Sequence, residues 1–160
     1  MSLQAIVNDW MDESRKLIVQ NYDRDGMRAS GKFERDLQVE EGGKSGLVKS
    51  TLFGSAHSPF IDGGRGATKS AGSGISLKDL IRKWIDDKRI VPDGISKDSL
   101  AFLIARKIHR EGWKPKHLPP NGVISSVINE KRIASLQEQI GEFYKVNTTT
   151  EYGFNINSSG

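Results

Sequence analysis

The first apolar rhythm in the chain is helical. Leu3, Ile6, Val7, Trp10, Leu17 and Ile18 recur every three to four residues, which predicts an amphipathic helix over 3–20. Ser14 interrupts the middle of that face. The stretch DRDG at 23–26 predicts a turn, because Asp and Gly favour conformations that end helices. The period then shortens to two. Phe33, Leu37 and Val39 alternate with Lys32, Glu34, Asp36, Gln38 and Glu40, the pattern of a half-buried strand over 32–40. A turn at 41–46 (EGGKSG) leads to a second strand at 47–54, rich in Val, Leu and Thr. A hairpin alone is marginal in water, so this one is expected to belong to a larger packed unit.

Residues 55–75 carry glycine and serine in place of any period and predict a long loop. Ser76 then marks a helix start, with Asp79 three residues later in the place of a capping-box acid. Leu77, Leu80, Ile81, Trp84 and Ile85 form its apolar stripe, through Lys88. VPDG at 91–94 is a turn, and Ser96 caps a further helix over 97–111. Its expected buried face is Leu100, Ala101, Ile104, Ala105 and Ile108, with Arg106 and Arg110 one turn apart on the other side. Gly112 is a natural helix stop. Three prolines keep 113–122 extended, and helical spacing returns over 123–144, divided near Asn129 and Glu130. The segment 146–160 reads as an edge strand or a disordered polar tail.

The order of elements predicts an α+β fold. A small antiparallel sheet, the hairpin at about 32–53, packs with an N-terminal helix and two to three C-terminal helices. The 160 residues suit a single domain over 1–145 with a mobile loop at 55–75 and a polar tail.

Charge adds an asymmetry. The chain holds 24 basic and 20 acidic side chains, a net +4. Residues 1–80 balance at 11 of each, so the excess lies in 81–160, with 13 against 9. Six cations face two acids within 97–117, either a basic patch for an anionic partner or a solvated helix face. The absence of cysteine excludes disulfides, thiolate metal sites and a cysteine nucleophile. No apolar run is long enough to span a membrane, and the N-terminus lacks the basic start of a signal peptide.

Candidate chemistry is sparse. The window 63–70, GGRGATKS, approaches a phosphate-binding loop, but Thr68 stands where the cradle needs glycine before Lys69. A second window, 38–45, has Gly43, Lys44 and Ser45 but begins with Gln38 in the place of glycine. His57, His109 and His117 lack the spacing of a metal site, and no serine stands in a nucleophile elbow. Neither a cofactor nor a catalytic group is expected. The glycine loop is either a plain linker or a segment that orders on a partner, where Arg65 and Lys69 would meet carboxylates or phosphates.

Three motifs then combine. FIDGGRG at 60–66 supplies Phe60, Ile61, Asp62, Gly64, Arg65 and Gly66. A helix follows with Trp84, Ile85 and a closing Lys88. The next carries Ala101, Phe102, Ile104, Ala105, Arg106 and Ile108 and ends at Gly112. Over residues 1–145 this pattern resembles the neck or tail-completion (head–tail joining, minor tail) proteins of long-tailed bacteriophages. The resemblance implies a virion protein without enzymatic activity. It would form a homo-oligomeric ring at the head–tail junction, contact other neck and tail proteins, and surround passing double-stranded DNA. It would be assembled in the host cytoplasm, away from any membrane. Phe60, Asp62, Arg65 and Lys69 are then candidate docking residues, and Arg106, Arg110, Lys114 and Lys116 a candidate DNA-facing patch. The alternative is a small basic nucleic-acid-binding module, built on the same four cations with Trp113. A nucleotide hydrolase using Lys44 or Lys69 is a third expectation.

Overall fold

A computed structural model describes residues 1–69, 72 and 74–152. Helix α1, Leu3–Arg24, begins at Ser2, whose hydroxyl accepts the Ala5 amide at 3.1 Å. Its buried face is Ile6, Trp10, Ser14, Ile18 and Val19. Ser14 is therefore part of the face rather than a gap in it. Its hydroxyl donates to the Trp10 carbonyl at 2.7 Å and accepts from Arg132 at 3.0 Å, so burial leaves it satisfied.

The strand expected over 32–40 begins late. Lys32–Asp36 forms a short helix, α2, entered through Gly31 at φ 76°. Phe33 and Leu37 lie four apart, a spacing that suits a helix face. On a strand Arg35 would share their apolar face, which is the flaw in the alternating reading. Phe33 stacks on Tyr22 with ring centroids 4.2 Å apart. Arg15 of α1 donates to the carbonyls of Glu34, at 3.1 Å, and Leu37, serving groups the helix end leaves open.

Strands β1, Gln38–Lys44, and β2, Leu47–Phe53, then pair antiparallel from Gln38–Phe53 to Lys44–Leu47. The turn thus shrinks from the expected 41–46 to Ser45 and Gly46, with Gly46 at φ 82°. The hairpin packs on α1, where the Gln4 amide donates to the Lys49 carbonyl at 3.1 Å. The main core joins Ile18, Val19, Phe33, Leu37, Val123 and Val127.

The expected loop 55–75 contains helix α3, Ser58–Gly63, with Pro59 in its first turn. Ile61 of α3 packs against the core. Helices α4, Leu77–Asp87, and α5, Lys97–Glu111, start where the cap residues predict. Ser76 accepts the Asp79 amide at 3.2 Å and Ser96 the Ser99 amide at 3.0 Å. They pack as a pair, with Ile85, Ala101 and Ala105 buried. The α4 stripe is only partly covered, since Leu80 and Trp84 remain exposed. Arg82 bridges Asp86 and Asp98, and Lys97 reaches Asp86 at 2.8 Å. The Arg82 guanidinium, and then Lys97, hold the Asp86 carboxyl down to about 2.

Residues 123–127 form turns rather than helix, pinned where the Asn21 amide donates to the Val123 carbonyl at 3.2 Å. Asn129 accepts the Arg132 amide at 3.0 Å and so opens helix α6, Glu130–Tyr152. Residues 146–152, expected as strand or tail, continue this helix, and 153–160 lie outside the described residues. Trp10 donates to the Arg132 carbonyl at 3.1 Å and the Arg132 guanidinium lies over its ring, which joins α6 to α1. The architecture is α+β, a two-stranded antiparallel sheet with an N-terminal helix and C-terminal helices. No helix among the described residues is long and apolar enough to cross a membrane.

Candidate functional site

The Gly-Arg-Gly motif leaves α3 and runs against the end of α5. Arg65 and Trp113 form an antiparallel bridge, N–H to carbonyl at 2.7 and 2.8 Å in the two directions. The Thr68 amide extends this seam by donating to the His109 carbonyl at 2.9 Å. Gly64 enters the seam at φ 74°, ψ −168° and Gly112 at φ 76°, ψ −166°, a region essentially reserved for glycine. A β-carbon on Gly64 would strike the Trp113 carbonyl, and one on Gly112 the Arg65 carbonyl. Gly66 faces open space. Each of the two constrained glycines thus admits the strand that carries the other's partner.

Side chains reinforce the contact. Arg65 donates to the Thr68 hydroxyl at 2.8 Å, and that hydroxyl lies 2.6 Å from His109 Nδ1. A hydroxyl beside an imidazole is the beginning of a nucleophilic pair, but such a pair needs a third group to orient the base. Among the described residues no carboxylate holds the His109 ring. The trio is a structural link between loop and helix. In the sequence His109 shows only that it lacks metal-site spacing, and Thr68 only that it blocks a phosphate cradle. Nothing in the spacing of 68 and 109 pairs them.

The four candidate docking residues separate into two roles. Asp62 turns inward, and its Oδ1 accepts the amides of Ile124, at 2.7 Å, and Ser125, at 3.2 Å. Gly122 lies so close to that carboxylate that a β-carbon there would collide with it. Arg65 is half-buried in the seam. Phe60 and Lys69 are exposed.

The candidate DNA-facing residues all reach solvent. Arg106 and Arg110 lie on the exposed side of α5, and Lys114 and Lys116 flank the buried Pro115. Arg110 has Glu111 at 3.0 Å. The seam brings this group beside Arg65 and Lys69, so the two candidate sets, distant in sequence, share one region.

A second junction holds the basic loop to α1. His117 Nδ1 lies 3.1 Å from both oxygens of Asp25, whose side chain is fully buried, and Arg24 reaches the same carboxylate at 2.9 Å. The Arg24 guanidinium holds the Asp25 carboxyl below the usual range against the opposing effect of burial, and His117 acts in the same sense as Arg24. Lys88, at the end of α4, donates to the Gly26 carbonyl and lies 6.0 Å from the Trp84 ring centroid.

Neither lysine of the phosphate-loop windows opens a helix. Lys44 ends β1, and Lys69 precedes α4 by several residues. Among the described residues no group of three or more His, Asp or Glu could hold a metal ion. No protein-family model, curated protein or solved structure matches the chain.

Proposed function

We propose that the chain is a non-enzymatic structural protein of a bacteriophage neck, a tail-completion or head–tail joining component that works as a homo-oligomeric ring around the DNA channel. The observation that carries this reading is the interlock of Gly64, Arg65 and Gly112. These positions belong to the motifs that resemble the neck family, and here they form one physical joint. Others in the same motifs also act as joints: Asp62 on the 124–125 amides, Lys88 on Gly26, and Ala101 and Ala105 at the α4–α5 contact. Motifs that share one architecture in this way support a common fold behind the resemblance.

In this reading neighbours in the ring and other neck and tail proteins are the partners, with Phe60 and Lys69 the exposed docking candidates. The protein would act in the virion at the head–tail junction after assembly in the host cytoplasm. Electron microscopy of a lysate from phage carrying a stop codon in this gene tests the reading. Filled heads apart from finished tails are expected, and intact infectious particles would overturn it.

A further inference from the structure

We infer that the region where the Gly-Arg-Gly segment meets the end of α5 is a binding face for the phosphodiester backbone of duplex DNA, without sequence preference. The face draws cations from three segments. Lys69 comes from the segment after the Gly-Arg-Gly motif, Arg106 and Arg110 from α5, and Lys114 and Lys116 from the chain that follows. The Arg65–Trp113 bridge and the Thr68–His109 backbone bond hold these segments in register. Their relation is therefore built in rather than assembled by the ligand.

These charges remain available. On the neighbouring elements Arg82, Lys83 and Lys97 each pair with a carboxylate. On the face only Arg110 does so among the described residues, and its partner Glu111 is an exposed neighbour. An exposed pair of this kind contributes little and gives way to a stronger anion.

The spacing favours a polyanion over a single ion. Arg106 and Arg110 stand one helical turn apart, about 5–6 Å. Lys114 and Lys116 are exposed on either side of buried Pro115. Several exposed cations in one region suit a string of phosphates better than a single ion. Exposed Phe102, Leu103, Trp113 and Leu118 lie near these cations in sequence, so anionic lipid vesicles that bind the chain and displace the duplex would overturn the assignment to DNA. Contacts to phosphate position a duplex without reading its sequence.

This inference deepens the connector reading by naming what its DNA side touches, yet its argument needs only the seam. Fluorescence anisotropy of the purified full chain with a short labelled duplex, across a salt series, tests it. Binding is expected to weaken with a log–log slope of about −0.9 per phosphate contacted, near −4.5 when all five cations each meet a phosphate. Arg106→Ala with Arg110→Ala, or Lys114→Ala with Lys116→Ala, should each flatten that slope by about 1.8. Lys16→Ala with Lys131→Ala, on α1 and α6, should leave it unchanged. Thermal melts of each variant separate lost binding from lost folding. An unlabelled duplex of unrelated sequence should compete equally. No binding at about 50 mM salt, or folded variants that bind like the parent, would overturn the inference. So would displacement of the duplex by polyglutamate at matched charge, which would assign the face to acidic proteins. Binding as expected alongside normal particles from the stop-codon phage would keep this face and remove only the connector reading.

Discussion

An alanine at Gly64 or Gly112 would have to adopt a backbone region that L side chains avoid, while its β-carbon met a carbonyl across the seam. Each substitution should cost about 1–3 kcal/mol, read as a lower midpoint of urea unfolding. Gly66→Ala should stay within about 0.5 kcal/mol, because nothing approaches that position. An equal loss at all three would show that the seam is not the cause. Asp62→Ala tests the other joint and should cost about 1–3 kcal/mol by leaving the Ile124 and Ser125 amides without their acceptor. Of these roles only one was legible in the sequence. Gly112 follows an apolar helical run, and a glycine there is a local signal. The demand on Gly64 comes from the Trp113 backbone, nearly fifty residues onward, and no local pattern carries it. Asp62 looked like an outward docking group because its partners are main-chain amides, which every sequence has everywhere.

At the scale of elements, caps made the starts of α4 and α5 legible to the residue. Ser76 and Ser96 each precede an apolar run and each accept the amide three residues on. Ser96→Ala should lower stability by about 1 kcal/mol, as thermal or urea unfolding would measure. Helix α2 was not legible because Phe33 and Leu37 satisfy both periods. What decides between them is Arg15 on α1, which serves the α2 carbonyls, together with the Tyr22 ring that receives Phe33. Tertiary contact overrides a weak local pattern there. Arg15→Met should loosen this turn, and amide exchange at Leu37, bonded to Phe33, should quicken. Similar logic explains Ser14. A polar residue in an apolar face reads as a gap until Trp10 and Arg132 supply its bonds.

The whole molecule joins its parts through charged groups whose effect depends on pH. Asp25 and Asp86 both have carboxyls held below their ordinary range in the folded state. Such groups stabilise the fold above their unfolded value of roughly 3.9, and that stability is lost as pH falls through the folded value. For Asp86 the window closes at about 2. Unfolding midpoints should therefore fall as the medium is acidified below about pH 4. Asp25→Asn should flatten that dependence, and a curve with the parent's slope would exclude Asp25 as a contributor. The broad plan at this scale, a hairpin with helices on either side in sequence, followed from periodicity and caps. The convergence of distant cations did not, because it depends on a backbone pairing that leaves no compositional trace.

The Arg65–Trp113 bridge also has a temporal consequence. It ties off the excursion that holds α4 and α5, two helices whose mutual contacts are near in sequence. Loop-closure entropy grows with the free chain between two points, so a preformed helical pair shortens the distance the bridge must close. A clasp of this kind is expected to open before the helices it encloses. Amide exchange should register this order, with the Arg65 and Trp113 hydrogens lost before those in the middle of α5.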